Sequence, residues 1–171
     1  STGWEKVNSP YELKGYSAGG YLISVKTQNS RAWSIVDLPL SDTEIRVKTE
    51  KISGPEDTNF GIICRFRNED NFYSFLISSD GYYAIMKVEN GVETLLGSDQ
   101  FTYSEQINLG SALNQIEAIC SGNELSLSVN GQLLQTVKDT SFPTGKVGMI
   151  VETRAEGDAA IVFSDFVIIK R

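Results

Sequence analysis

Apolar and polar residues alternate with a period of two along almost the whole chain, and turn residues interrupt the alternation at short intervals. A period of two places successive side chains on opposite faces of an extended strand, so this pattern asks for β-structure and is incompatible with amphipathic helices. Thr43 to Glu50 is a clear case, with Ile45, Val47 and Thr49 on one face and Glu44, Arg46, Lys48 and Glu50 on the other. That is a half-buried strand with its charges in solvent. Phe60 to Arg67 sets Phe60, Ile62, Cys64 and Phe66 opposite Gly61, Ile63, Arg65 and Arg67.

Turn chemistry divides the rest. Ser79-Asp80-Gly81 joins Phe72–Ser78 to Tyr82–Val88, and Glu89-Asn90-Gly91 leads on to Val92–Leu96. Gly122-Asn123 turns Ile116–Ser121 into the strand carrying Leu125, Leu127 and Val129. Asn130-Gly131 then opens Gln132–Lys138, and it is the strongest hairpin dipeptide in the chain because both positions tolerate positive φ. Lys146–Glu152 and Ala159–Ile169 follow, while Gly20–Lys26 and Arg31–Asp37 precede the set. Gln100–Leu109 lacks the pattern and is read as a loop or a single helical turn. Many short antiparallel strands mean a two-sheet sandwich or a barrel.

The 171 residues fit a single domain, 1–171, able to bury a core without metal or dense disulfides. Opening on Ser1-Thr2-Gly3-Trp4 without Met, the chain reads as a trimmed or mature fragment. No apolar run approaches the ~20 residues that cross a bilayer, so this fragment is not expected to insert directly into a membrane. A net charge of −7 repels phosphate backbones and anionic lipid, which argues against nucleic acid and membrane-surface partners. The chain contains no histidine, which removes Ser-His-Asp and Cys-His nucleophiles, HExxH metal sites and imidazole zinc ligands.

Several stretches carry a family resemblance. They are Asn59-Phe60-Gly61-Ile62-Ile63-Cys64-Arg65, Asp70-Asn71-Phe72-Tyr73-Ser74-Phe75, Asp80-Gly81-Tyr82-Tyr83, Ile119-Cys120-Ser121-Gly122-Asn123-Glu124-Leu125, Val129-Asn130-Gly131 and Phe163-Ser164-Asp165-Phe166. Together, over roughly Trp4 to Ile169, they resemble the concanavalin A-like lectin/glucanase sandwiches of bacterial extracytoplasmic proteins. These are related to the domain of unknown function named for 3-keto-disaccharide hydrolases. The resemblance implies an all-β, two-sheet antiparallel jelly roll, secreted or borne on a lipoprotein outside the cell, and a further strand upstream of Trp4. It transfers no catalytic residue, because no active-site motif of the hydrolases is matched.

Cys64 and Cys120 fall on apolar faces of their strands. On adjacent strands they would suit a disulfide, which the implied oxidising compartment favours; two buried free thiols are the alternative. The chain demands no cofactor. Calcium is the one metal its acidic loops invite, through Glu56, Asp57 and Asn59 in one loop and Glu156, Asp158 and Asp165 near the last strand. The same residues also serve as ordinary turn formers. The Glu-x-Asp-x-x-Glu strand motif of concanavalin-like glycosidases is absent, and no catalytic carboxylate pair can be nominated. A lectin-like site needs flat rings beside a few polar groups, for which the candidates are Tyr73, Tyr82, Tyr83, Trp33, Arg65 and Arg67. Tyr82 and Tyr83 are consecutive, so one of them faces away from the core. The leading expectation is a non-catalytic extracytoplasmic module whose partner is carbohydrate or an envelope protein. A glycoside hydrolase acting on a disaccharide-like substrate and a structural spacer are the alternatives.

Overall fold

The structure, a computed structural model, describes residues 3–171. Fifteen strands are present among them. β1 (Val7–Asn8), β2 (Glu12–Ser17), β3 (Gly20–Val25), β5 (Thr43–Ser53), β11 (Asn114–Ser121), β12 (Glu124–Val129), β13 (Gln132–Lys138) and β15 (Ala159–Lys170) form an eight-stranded sheet in the order β1-β2-β3-β15-β5-β11-β12-β13. β4 (Arg31–Leu40), β6 (Asn59–Asn68), β7 (Asn71–Ser78), β8 (Tyr82–Glu89), β10 (Thr102–Tyr103) and β14 (Gly145–Glu152) form the second sheet, in the order β10-β8-β7-β6-β14-β4. There β9 (Val92–Leu96) also pairs with the free edge of β8. Every pairing is antiparallel, and the two sheets stack as a jelly-roll sandwich. The Gln100–Leu109 stretch holds the two-residue β10 and turns, not a helical turn.

The strand alternation locates the core. Ile23, Ile45, Val47, Ile116, Leu125, Leu127 and Ile161 from the first sheet meet Phe60, Ile62, Phe75, Ile77, Ile85 and Met149 from the second. Each such side chain, fully withdrawn from water, contributes roughly 1.5–3 kcal/mol. Cys64 and Cys120 are bonded to each other through this core. They lie not on adjacent strands but on β6 and β11, one in each sheet, with Cα atoms 6.9 Å apart. The bridge staples the two layers across 56 residues of sequence, worth about 4 kcal/mol in the chain-entropy model.

The simple alternation of Phe60–Arg67 breaks at Arg65. That residue adopts φ 52°, and three residues of β6 (Cys64 to Phe66) advance against two of β14 (Lys146 to Val147). The bulge carries Phe66 to the outward face of the sheet, where it packs with Trp33 and Phe72, instead of into the core. It also turns Arg65 inward. Arg65 is 1% exposed and donates to the carbonyls of Ser41, Gly122 and Phe142 and to the Asp42 carboxylate. A buried guanidinium is stable only when its donors are satisfied, and here loops from three parts of the chain satisfy them.

Candidate functional site

The outward face of the second sheet is itself apolar. Ile63, Phe72, Leu76, Val88 and Ile150 form a second buried cluster, with Trp33, Ile35, Phe66 and Phe101 packed around it. Arg31 on β4 and Glu93 on β9 sit on opposite edges of this sheet, five strand steps apart. A flat sheet at about 4.8 Å per step would separate them by roughly 24 Å. Their side chains nevertheless meet at 2.8 Å. The sheet therefore curls, and its outward face is a trough whose two rims touch. Gly61 and Gly148 lie on neighbouring strands in the floor, opposite Ile150 and Ile63, and a Cβ on them would strike the backbone of β7 and β4 respectively, so the strands press together at the bend.

Register sets a polar row across one end of the trough. Arg31 pairs with Glu152, Glu152 with Asn59, and Asn59 with Ser78. Tyr82 starts β8 beside Ser78, whose hydroxyl lies 3.4 Å from the Tyr82 amide. Two connected hollows, of about 410 and 520 Å3, open along this row. They share Asn59, Phe101 and Arg154 as their common wall. Arg31, Glu93 and Glu152 line the first, and Asp57, Asp80 and Tyr82 the second.

The electrostatics centre on Arg31. Its guanidinium lies over the Phe72 ring at 5.3 Å and the Trp33 ring at 5.9 Å, a cation–π arrangement that fixes the charge inside the trough. Its Nη1 donates to Glu93 at 2.8 Å and stands 3.9 Å from Glu152 Oε1. That oxygen is buried and has no hydrogen-bond partner. Burial pushes the Glu152 carboxyl up to about 7, against the favourable pull of Arg31 and with a further push from Glu93. Opposite, Arg154 stacks over the Phe101 ring at 5.4 Å.

The sequence candidates distribute unevenly over this site. Trp33 is in the trough, half-buried beside Phe66 and Phe72. Of the consecutive tyrosines, Tyr82 faces the groove, 41% exposed and edge-on to Tyr103. Tyr83 turns to the core side, its hydroxyl 3.4 Å from the Leu134 carbonyl. Tyr73 lies wholly in the core, where it donates to Asp139 at 2.5 Å and accepts from the Phe142 amide. Burial would raise Asp139, but hydrogen bonds from Tyr73, Lys87 and Ser141 outweigh it and hold the carboxyl at about 2. Tyr73 and Arg65 are thus committed to buried polar networks, and Arg67 is exposed on β6 beyond the bulge.

Of the calcium candidates, Asp57 and Asn59 line the groove, whereas Glu56 is paired with Lys51 at 2.6 Å. Glu156 and Asp158 sit exposed in the β14–β15 loop, and Asp165 pairs with Lys48 on the other sheet. Among the described residues no three His, Cys, Asp or Glu side chains are grouped to hold a metal ion. Five groups of the groove escaped sequence reasoning: Arg31, Glu93, Phe101, Glu152 and Arg154. Arg31 and Glu152 were readable as the outward partners of Trp33 and Ile150 by alternation. Glu93 and Phe101 carried no local signal, since only the curl of the sheet brings them in.

No protein-family description matches this chain. No curated protein matches it either. Solved structures do. A carbohydrate binding module, CBM66, from Bacillus subtilis superposes with a TM-score of 0.78 at 16% identity, covering 98% of this chain and 95% of that one. Sheep galectin-11 in complex with glycerol superposes at 0.58 with 14% identity, covering 84% of this chain and all of that one. The GH43 protein BlXynB from Bacillus licheniformis gives 0.65 at 13% identity, covering 88% of this chain but only 33% of that one. At such identities the likeness establishes the fold, a concanavalin A-like sandwich, and leaves function to the site.

Proposed function

We propose that this domain is a non-catalytic carbohydrate-binding module and that the trough of the seven-stranded sheet holds the glycan. One observation carries the reading: a groove open to solvent sets the rings of Phe101 and Tyr82 against Asn59, Arg154 and the Arg31–Glu93–Glu152 group. Sugars present apolar C–H faces and a rim of hydroxyls, so a site for them pairs flat rings with a few fixed polar groups. The similar CBM66 structure, named a carbohydrate binding module, supports the same reading.

The carboxylates favour binding over hydrolysis. A glycosidase keeps the space between its two carboxyl groups for the scissile bond. Here Arg31 Nη1 stands between Glu93 and Glu152, so the pair is held to a guanidinium. The inter-sheet disulfide supports an extracytoplasmic location, where such a bond persists. The link to the domain named for 3-keto-disaccharide hydrolases rests on the hairpin motifs and brings no catalytic residue with it.

A glycan array, run with and without calcium, tests the proposal. Wild-type protein is expected to bind at least one oligosaccharide class. Phe101→Ala and Tyr82→Ala should each weaken that binding about tenfold, the loss of one stacking ring. An empty array would leave the spacer reading. Turnover of chromogenic glycosides, lost on Glu152→Gln, would establish the hydrolase instead.

A further inference from the structure

The ligand class can be narrowed, on the premise that the trough binds glycans. Glu152 Oε1 is the buried acceptor without a partner in the first hollow. Arg31, the cation nearest to it, does not reach it, because 3.9 Å is too long for a hydrogen bond and the guanidinium is turned to Glu93. The acceptor therefore calls for a donor from the ligand. Charge around the two hollows is unbalanced in the same direction: Glu93, Glu152, Asp57 and Asp80 line them, against Arg31 and Arg154. Arg31 is neutralised by Glu93, and Arg154 is turned onto the Phe101 ring. An anionic ligand would meet twice as many carboxylates as guanidinium groups along the two hollows.

We infer that the groove selects uncharged glycans: Glu152 accepts a hydrogen bond from a sugar hydroxyl at the cavity floor and excludes sugars that carry a carboxylate. Glu152 is then the specificity-determining residue. The exclusion depends on its charge. The charged groups facing it are Arg31 from β4 and Arg154 from the β14–β15 loop, which favour its ionised form, and Glu93 from β9, which opposes it. Burial is the largest influence and brings its titration to about 7. Below that pH the protonated acid donates rather than repels, so discrimination should relax.

The test is an array of neutral tri- and tetrasaccharides, each paired with its C6-carboxylate counterpart, read at pH 6 and pH 8. Wild-type protein should bind the neutral member of a recognised pair at least tenfold more tightly at pH 8, with a clearly smaller ratio at pH 6. Glu152→Gln, whose amide can donate to a carboxylate, should bring the ratio down several-fold and remove its pH dependence. Equal or tighter binding of the carboxylated members by wild-type protein would overturn the inference, as would a Gln variant with undiminished, pH-dependent selectivity. Silence from every probe is a different result: it would overturn the carbohydrate reading itself, and the inference with it.

Discussion

On the outward face of the eight-stranded sheet, Glu44, Arg46 and Glu117 form a ladder of ion pairs, and Lys48 meets Asp165 beside them. Arg46 and Lys48 keep more than 40% of their side chains in water. On the outward face of the seven-stranded sheet the equivalent positions are Trp33, Ile63, Phe72, Leu76 and Ile150, and four of these are fully buried. Both faces come from strands with the same period. The first is finished with charge, which keeps an exposed antiparallel sheet soluble and unpaired. The second curls on itself, hides its apolar floor and leaves a polar row open at one end. A sandwich needs one core, and a second apolar face on one of its sheets is surplus to folding. That surplus is where a ligand is to be sought.

The comparison can be broken most sharply by placing charge on each face. Ile150→Glu buries a carboxylate with no cationic partner and should cost at least about 4 kcal/mol or prevent folding. Ser126→Glu, on the outward face of the other sheet, should stay within about 1 kcal/mol, both read from urea denaturation midpoints. Similar losses at the two positions would show that the faces do not differ in kind.

Glu152→Gln is expected to have the next largest effect, and it is a gain. Burial raises this carboxyl from 4.5 to about 7, so between those values the native state holds the proton more strongly than the unfolded chain. Stability therefore falls as pH rises through that window. An uncharged amide removes the fall, so the variant should match wild type below pH 4.5 and exceed it by roughly 3 kcal/mol above pH 7. A pH-independent difference would mean that the carboxyl is not buried as described. The smallest effect belongs to the charged ladder. Arg46→Ala should change stability by about 1 kcal/mol or less, and less still at high salt, because Arg46 is largely solvated and buried Glu44 keeps Arg171 as a second partner.

Much of this was legible in the sequence, for identifiable reasons. The face of β5 carrying Ile45, Val47 and Thr49 is buried as its alternation requires, and Asn130-Gly131 forms its turn with φ of 52° and 83°. Val92–Leu96 and Gln132–Lys138 begin and end where turn chemistry placed them. Alternation failed on β6, where Gly61 and Ile63 are as buried as Ile62, so polarity no longer reports which face is which. The bulge at Arg65 compounded the failure, since a left-handed residue in mid-strand has no sequence mark when it is not glycine. β2, with its sequence ELKGYS, lay outside the strand pattern because it is near the edge of its sheet and largely polar. The site was legible only in its local half. Trp33 and Tyr82 could be proposed from their strands, but Arg31 and Glu93 are 62 residues apart and meet only because the sheet curls.

The central claim is that glycan binds in the trough of the seven-stranded sheet. The most direct measurement is a backbone amide NMR titration of isotope-labelled protein with the first oligosaccharide found on the array. Shift changes should cluster at Arg31, Trp33, Asn59, Tyr82, Phe101, Glu152 and Arg154, leaving Glu44, Arg46, Lys48 and Glu117 unmoved. Changes centred on those charged residues of the eight-stranded sheet, with the trough silent, would contradict the account.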